Sequence, residues 1–261
     1  MSTDGLETLE RLDDGLERAR TRVRPSRPTL VRDFVAGDGF EARTFATRYQ
    51  DRRLLGQGGM GLVRSCEDTS ICREVAMKVM LRTREGSLSA SAQFVREARI
   101  QGQLEHPSVV PVYDLGRDPE GRLYFTMKQV TGETLEDLLD GLGEQVVSQR
   151  RLLQSFVQIC QAVDFAHQHK IVHRDLKPGN VMLGDYGEVY VLDWGLAAPF
   201  EESKASGIVG TPGYMSPEQT LGDELRASSD VWALGAILFE ILCGEPLCRE
   251  IEIEDVLTET R

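Results

Sequence analysis

The change from strand-like to helix-like patterns along this chain constrains its fold more than any other feature of the sequence. Between Tyr49 and Gly132, short runs rich in β-branched and aromatic residues are typical of strands, and a single helical segment interrupts them. After Gly132 the pattern is mainly helical, and its last helical segment is apolar on nearly every side and therefore expected to be buried. The helical segments span residues 89–104, 152–169 and 231–242. Strands followed by helices indicate an α+β protein with two lobes, residues 49–130 and 131–261.

Residues 1–48 differ in composition from the rest of the chain. They contain nine acidic residues and nine arginines, so the net charge of −12 is carried entirely by residues 49–261. Four leucines, at positions 6, 9, 12 and 16, have the spacing of a short amphipathic helix, which the Arg24–Pro28 segment would end. We interpret residues 1–48 as a partly disordered N-terminal extension.

The acidic composition and the cysteine pattern narrow the function classes. A net charge of −12 argues against nucleic acid or an anionic membrane as the partner, and it fits basic peptides or simply a solvated acidic surface. No run reaches the roughly 18–20 apolar residues of a membrane span, and the N-terminus has no apolar signal core. The five cysteines have no CxxC spacing and fit reduced thiols rather than a metal site. The sequence therefore predicts a cytoplasmic protein with no membrane segment in this chain.

A glycine-rich segment, GQGGMGLV, begins at Gly56. Glycines let backbone N–H groups approach phosphate oxygens without interference from a Cβ. Alone, the pattern fits an ordinary glycine-rich turn or a dinucleotide-binding turn, but the second needs a helix directly afterwards. Because Leu62–Cys66 has a strand pattern, a hairpin folded over a nucleotide is favoured. The predicted phosphate-binding residues are Gly56, Gln57, Gly58, Gly59 and Gly61.

Lys78 ends the apolar run Val75–Met77 and follows the glycine segment at a distance suited to the α- and β-phosphates of a nucleotide. A lone lysine in an apolar strand is more often a surface residue, and a buried one needs a charge partner. Glu97, nineteen residues later, is the candidate partner. The alternative is an ordinary helix-surface glutamate that pairs with a neighbour such as Arg96.

The segment HRDLKPGN, residues 173–180, is the most informative in the sequence. Phosphoryl transfer needs a carboxylate that orients the attacking hydroxyl and accepts its proton, and Asp175 suits that role. Lys177 could neutralise charge on the γ-phosphoryl group in transfer. Asn180 offers an oxygen ligand to Mg²⁺, a hard cation that prefers oxygen.

Two more segments complete the pattern. Asp193 directly follows the apolar run Val189–Leu192, which places it at a strand end facing the cleft, where it would hold Mg²⁺ against the β- and γ-phosphates. The segment Gly210–Glu218 would supply a platform for a peptide substrate beside the catalytic loop.

In order and spacing, these segments resemble the signature set of the protein kinase superfamily. The residues of HRDLKPGN and GTPGYMSPEQ are most similar to those of bacterial kinases of the eukaryotic-like Ser/Thr class. The resemblance covers Tyr49 to the chain end, and Lys177 matches Ser/Thr rather than Tyr kinases. It implies a bilobal protein-kinase-like fold with a β-rich N-lobe and a helical C-lobe, ATP and Mg²⁺ as cofactors, and a protein substrate. The implied function is γ-phosphoryl transfer to protein hydroxyls with Asp175 as the catalytic base.

The resemblance also implies roles for residues outside the motifs. Met127 looks like the gatekeeper, and the hinge backbone after it would bond the adenine. Val63 and Ala76 would cover the adenine from above, and Met182 or a neighbour would support it from below. The hinge residues are Lys128, Gln129 and Val130.

Further members of the family pattern would support the catalytic loop. Asp230 looks like a buried anchor for the backbone around His173 and Arg174. Thr211 looks like the residue that bonds Asp175 and Lys177. The apolar spine would include Val112, His173 and Trp194.

Arg174 suggests regulation by phosphorylation, because an arginine before the catalytic aspartate commonly pairs with a phosphate on the activation segment. Ser203 and Ser206 lie in that segment and are the candidate sites. The alternative is a mobile serine-rich loop with no regulatory role.

The sequence departs from the family pattern at three places. Trp194 replaces the commoner phenylalanine, which should do little harm in an apolar slot. Gln101 stands where an apolar spine residue is usual, and we expect looser coupling between helix and strands. Only nineteen residues follow Leu242, so the C-lobe looks truncated, and Glu218 would lack its arginine partner apart from Arg249 or Arg261.

The short C-lobe has consequences for stability and function. We expect an exposed apolar face on the last helix, covered in a homodimer or by a partner protein. It also suggests an alternative function, a nucleotide-binding pseudokinase or scaffold. A small-molecule phosphotransferase of related fold is a third candidate, but such enzymes typically lack a segment like Gly210–Glu218.

Overall fold

Five antiparallel strands form the first lobe of the computed structural model, which describes residues 43–84, 87–141, 147–202 and 208–247. The strand order is β1-β2-β3-β5-β4. The strands are β1 (Tyr49–Gln57), β2 (Gly61–Asp68), β3 (Arg73–Met80), β4 (Val112–Arg117) and β5 (Leu123–Lys128), and the helices are α1 (Phe45–Arg48) and α2 (Leu88–Gln103). The candidate phosphorylation sites Ser203 and Ser206, the downstream arginines and the N-terminal leucines lie outside the described residues.

Helix α2 packs on one face of this sheet through its apolar residues. Ser87 caps its N-terminus by accepting a hydrogen bond from the Ala90 amide, which satisfies one of the first free N–H groups of the helix. Phe94 is fully buried and packs against Phe125 on β5, with ring centroids 5.3 Å apart. This packing places the next turn of α2 opposite β3.

The second lobe is built around two longer helices, as the sequence predicts. Helix α4 buries residues that recur every three or four positions, including Ile159 and Val163, against a core that contains Trp194 and Ile237. The helices are α3 (Leu135–Leu139), α4 (Gln149–Gln168), α5 (Pro217–Leu221) and α6 (Ala227–Cys243). The predicted class, an α+β fold with a β-rich and a helical lobe, is confirmed.

Short strands in the second lobe add to the predicted, mainly helical pattern, and only the strand before Asp193 was predicted. They form a three-stranded sheet, ordered β6-β8-β9, and a two-stranded one that pairs β7 with β10. Strands of two to four residues contain too few side chains for a periodic signal. Their bounds are β6 (Gly132–Thr134), β7 (Ile171–Val172), β8 (Val181–Gly184), β9 (Val189–Val191) and β10 (Ala198–Pro199).

Helix α6 is not buried on every side, which corrects the expectation drawn from its apolar sequence. Ala233 and Ile237 face the core, but Val231 and Leu242 are 58% and 52% exposed. As far as the described residues extend, these exposed apolar side chains agree with the second expectation for this helix, an exposed apolar face. Among the described residues, no helix has the length and apolar character needed to cross a bilayer.

Candidate active site

The glycine-rich segment forms the turn between β1 and β2, which pair as an antiparallel hairpin. This geometry excludes the dinucleotide-binding turn, which requires a helix after the glycines. A Cβ added at Gly56, Gly58 or Gly59 would meet no atom within 4 Å, so the space beside the turn is open. A Cβ at Gly61 would lie 2.8 Å from the Val79 carbonyl oxygen, so glycine is required there for strand packing. The glycines therefore serve two purposes, open space at the turn and close approach of β2 to β3.

Lys78 on β3 and Glu97 on α2 form an ion pair in the interior of the first lobe. The Glu97 side chain is only 2% exposed, so the alternative of a helix-surface glutamate is wrong. Burial raises the pKa of the Glu97 carboxyl, and the Lys78 ammonium opposes that rise. Lys78 Nζ also lies 3.8 Å from Asp193 Oδ1, so one cation faces carboxylates from both sides of the cleft.

Asp175 is held by a chain of hydrogen bonds that begins at Lys177. Lys177 Nζ donates to Thr211 Oγ1 over 2.8 Å, and the Thr211 hydroxyl donates to Asp175 Oδ1 over 2.6 Å. Asn180 Nδ2 donates to the other carboxylate oxygen over 3.2 Å and to the Asp175 carbonyl over 2.8 Å. The contacts expected of Thr211 are present, and they orient the carboxylate from both sides.

Asp230, at the start of α6, holds the backbone before Asp175. Its carboxylate accepts the His173 and Arg174 amides at 2.8 and 2.9 Å, and it lies 2.8 Å from His167 Nε2. Arg174 has a φ of 71°, a left-handed conformation that is unusual for a residue with a side chain. The buried carboxylate stabilises this conformation, because the two consecutive amides each donate to one of its oxygens.

Asp193 also adopts a left-handed conformation, with φ 55° and ψ 75°. Its side chain is 54% exposed toward the cleft, and Oδ1 accepts the Gly195 amide at 3.3 Å. Trp194 is fully buried, and its ring centroid lies 4.6 Å from that of His173. The indole Nε1 donates to the Val191 carbonyl over 3.3 Å, so the larger ring is accommodated with its polar atom satisfied.

Asn180 and Asp193 offer oxygen atoms that suit a magnesium ion. The Asn180 amide nitrogen is bonded to Asp175, which leaves its side-chain oxygen as the group that can face a cation. The Leu192 amide donates to the Asn180 carbonyl over 2.8 Å and ties the two segments together. In the part of the chain that the structure describes, no three His, Cys, Asp or Glu side chains form a metal-binding group. Two protein ligands fit Mg²⁺, which usually completes its coordination with water and substrate phosphates.

The predicted nucleotide-base site lies where β5 runs into the connection between the lobes. Ala76 pairs with Met127 across β3 and β5, and Met182 lies on β8. The Lys128 amide donates to the Pro111 carbonyl over 3.1 Å, so this hinge amide is already bonded within the protein. The remaining predicted residue above the base, Val63, pairs with Lys78 across β2 and β3.

The Lys128 side chain makes a contact that the sequence did not predict. Its ammonium donates to the hydroxyl of Tyr190 on β9 and lies 4.8 Å from the centroid of that ring. The contact joins the hinge to the sheet of the second lobe. The two residues are far apart in the sequence, and neither belongs to a motif.

Gln101 is buried in the first lobe and makes a hydrogen bond there. The side chain is 4% exposed, and Nε2 donates to the Val110 carbonyl over 2.8 Å. The same nitrogen lies 3.7 Å from the Met127 sulfur. The buried amide therefore has an acceptor, as buried polar groups usually do, and the looser coupling between helix and strands stays a prediction.

Sequence reasoning missed Gln219, a buried residue directly after the substrate-platform segment. Its side-chain nitrogen donates to the Arg174 carbonyl over 2.8 Å and to the Val209 carbonyl over 3.1 Å. The signal was present, because Ser216 and Gln219 have capping-box spacing and form that box at the start of α5. Glu218 accepts a 2.6 Å hydrogen bond from the Ser229 hydroxyl, a partner that the sequence also did not predict.

The sequence of this chain is similar to those of known proteins. The family model for the protein kinase domain matches residues 49–260. The serine/threonine-protein kinase PknB of Mycolicibacterium smegmatis is 39% identical over 207 residues, covering 76% of this chain and 33% of that protein. The DNA damage-responsive serine/threonine-protein kinase RqkA of Deinococcus radiodurans is 43% identical over 208 residues, covering 77% and 30%. The chain therefore spans about a third of the length of these relatives.

Proposed function

The chain belongs to the protein kinase family, and from this premise we propose that it is a protein Ser/Thr kinase. It would transfer the γ-phosphoryl group of ATP to serine or threonine hydroxyls of a protein substrate. The observation that carries the proposal is the hydrogen-bond chain from Lys177 through Thr211 to Asp175. A carboxylate oriented in this way, beside a cation, is what general-base assistance to a hydroxyl requires.

Asp175 would act as the base in an in-line displacement. The substrate hydroxyl oxygen forms a bond to the γ-phosphorus, the bond from that phosphorus to the β-phosphate bridging oxygen breaks, and ADP leaves. The hydroxyl proton passes to Asp175, which accepts it on the oxygen that faces the substrate. Lys177, 3.9 Å from the Asp175 carboxylate, would offset negative charge on the transferred group.

Lys78 and Glu97 would position the nucleotide rather than react with it. The buried ion pair directs the ammonium toward the cleft, where the α- and β-phosphates would lie below the glycine-rich turn. Asn180 and Asp193 would hold Mg²⁺, which when bound neutralises charge on the β- and γ-phosphates. The hinge segment 128–130, with Val63, Ala76, Met127 and Met182, would enclose the adenine.

In the alternative function, a pseudokinase, the chain would bind nucleotide but would not transfer its phosphoryl group. Against it stands the arrangement of Asp175, Asn180 and Asp193, since a protein that only bound nucleotide would not require an oriented base. We also propose that the substrates are proteins and that the chain is cytoplasmic. A second copy of the chain, or a partner protein, would cover the exposed face of α6.

Removal of divalent cations should abolish phosphoryl transfer to a generic protein substrate. Incubation of the full chain with radiolabelled ATP and excess EDTA should reduce transfer by at least about 10²-fold, because two unneutralised phosphates repel the attacking oxygen. Excess Mg²⁺ should restore the signal. Transfer that continues unchanged in EDTA would contradict the assigned roles of Asn180 and Asp193.

Autophosphorylation of Ser203, Ser206 or both is expected, because Arg174 lies at the start of the catalytic loop and its partly buried guanidinium is suited to pair with a phosphate. Mass spectrometry after incubation with ATP and Mg²⁺ should find phosphate between Asp193 and Glu218. An active preparation without phosphate in that range would contradict the expectation. The Asp175→Asn chain, treated in the same way, controls for phosphate added by a contaminating kinase.

A further inference from the structure

One face of helix α2 contacts the segment that follows Trp194 at two separate points. Gln93 Nε2 donates to the Gly195 carbonyl over 3.1 Å, and Arg96 reaches the 3₁₀ turn Phe200–Glu202. Gln93, Arg96 and Glu97 have the i, i+3, i+4 spacing of one helix face. The helix residue that pairs with Lys78 therefore lies on the same surface as two contacts to the activation segment.

Glu202 joins this helix to the loop that precedes Asp175. Its carboxylate forms an ion pair with Arg96, with 2.5 Å between Oε2 and Nη2. Its main-chain carbonyl accepts a hydrogen bond from Arg174 Nη2 over 2.8 Å. A single residue of the activation segment thus contacts arginines from both lobes.

The positive charges of Arg96 and Arg174 repel each other, and Glu202 contacts both side chains. Burial lowers the pKa of the Arg174 guanidinium, and the positive charge of Arg96 lowers it further. The Arg174 Nε is buried and has no hydrogen-bond partner among the described residues. The negative charges that oppose this repulsion belong to Asp230 and Glu202, and Asp230 is already bound to backbone amides.

We propose that Glu202 is a positioning residue that forms an anionic latch, defined as Glu202 with Arg96 and Arg174. The latch holds α2 against the catalytic loop before any phosphate is added, and so supports the Lys78–Glu97 ion pair in the unphosphorylated chain. The inference rests on the proposed kinase function and adds its regulation. A phosphate nearby would then reinforce an arrangement that Glu202 already maintains through its carboxylate at Arg96 and its main-chain carbonyl at Arg174.

Glu201 provides a matched control because it precedes Glu202 in the same turn and carries the same charge. Its side chain is exposed, and it forms no ion pair with another residue that the structure describes. Glu201→Gln therefore removes one negative charge from the same surface without removing the latch. Because the hydrogen bond from Arg174 is accepted by the main-chain carbonyl and remains in both variants, any difference between the Glu201→Gln and Glu202→Gln variants reports on the ion pair with Arg96.

Hydrogen exchange of the full chain without nucleotide tests the latch independently of catalysis. In a background with Ser203→Ala and Ser206→Ala, Glu202→Gln should increase the exchange rate of amides in residues 88–103, and Glu201→Gln should not. In a chain with Arg96→Gln, the Glu202→Gln change should have no further effect, because the pair is already broken. Equal exchange in the two glutamate variants, or additive effects with Arg96→Gln, would overturn the proposal.

Kinetics in the same alanine background provide the second measurement. The background chain should remain active, and Glu202→Gln should lower kcat by about three- to fivefold, the size expected for a partly exposed ion pair. Loss of all activity in the background, with the unmodified chain active, would mean that a phosphate is required and would overturn the latch. Absence of phosphoryl transfer in every variant, including the unmodified chain, would contradict the kinase function instead. The hydrogen-exchange measurement would then still test whether the latch holds α2.

Discussion

Replacement of Asp175 by asparagine should lower phosphoryl transfer by about 10²–10⁴-fold, the range expected for loss of a general base. The asparagine amide cannot accept the hydroxyl proton. In either orientation, the asparagine side chain would also present its nitrogen to the Thr211 hydroxyl or to the Asn180 amide. Both of these groups donate to the Asp175 carboxylate. The substituted side chain would therefore lose both its basicity and its orientation.

The measurement is a radiolabel transfer assay with a generic protein substrate, with ATP binding measured in parallel. Asp164→Asn is the control, since Asp164 is an exposed carboxylate of the same lobe whose described contact is a hydrogen bond from Gln168. The control should transfer phosphate at the unmodified rate. Equal transfer by the Asp175→Asn chain and the unmodified chain would rule out the kinase proposal, and intact ATP binding without any transfer in the unmodified chain would favour the pseudokinase.

Replacement of Asp230 by asparagine should destabilise the protein by about 3 kcal/mol, because a buried acceptor of several donors becomes a partial donor. Its two oxygens accept the His173 and Arg174 amides and contact His167, and no arrangement of an amide side chain satisfies all three. The left-handed conformation at Arg174 would lose its support. The loop carrying Asp175 would then shift, and transfer should fall on the order of 10²-fold even where the protein is folded.

Urea denaturation of the full chain measures the first effect, and transfer assays well below the unfolding midpoint measure the second. Asp223→Asn is the matched control, since Asp223 is exposed and lies a few residues before the same helix. The control should change the free energy of unfolding by less than about 0.5 kcal/mol, as surface substitutions usually do. Unchanged stability of the Asp230→Asn chain would show that the two amides find other acceptors, contrary to the anchor role.

Much of the candidate site could be predicted because its chemistry is local in the sequence. Asp175, Lys177 and Asn180 fall within one short segment, and the strand before Asp193 is an apolar run. The pairing of Lys78 with Glu97 was also within reach, because a buried ammonium requires a carboxylate and the next helix offered one. Two-lobe architecture followed from the change in periodicity at Gly132.

Other features were wrong or missing in the sequence-based prediction for physical reasons. Helix α6 is apolar on most sides, yet Val231 and Leu242 are exposed. The composition of a helix shows which of its faces could be buried, but the neighbouring elements decide which faces are buried. Gln101 looked disruptive because its acceptor, the Val110 carbonyl, belongs to a backbone whose path the sequence does not reveal. Apart from the predicted strand before Asp193, the short strands of the second lobe had too few residues to produce a period.

The sequence by itself determined which chemical groups the site contains and their order along the chain, because the acidity, charge and donor capacity of a side chain follow from its identity. Only the tertiary structure decided which groups meet. Glu202 forms an ion pair with Arg96 and accepts a hydrogen bond from Arg174 through its main-chain carbonyl. Lys128 donates to Tyr190, and no local pattern encodes these separations. Such contacts depend on how two lobes pack, and packing is a property of the whole core rather than of any segment.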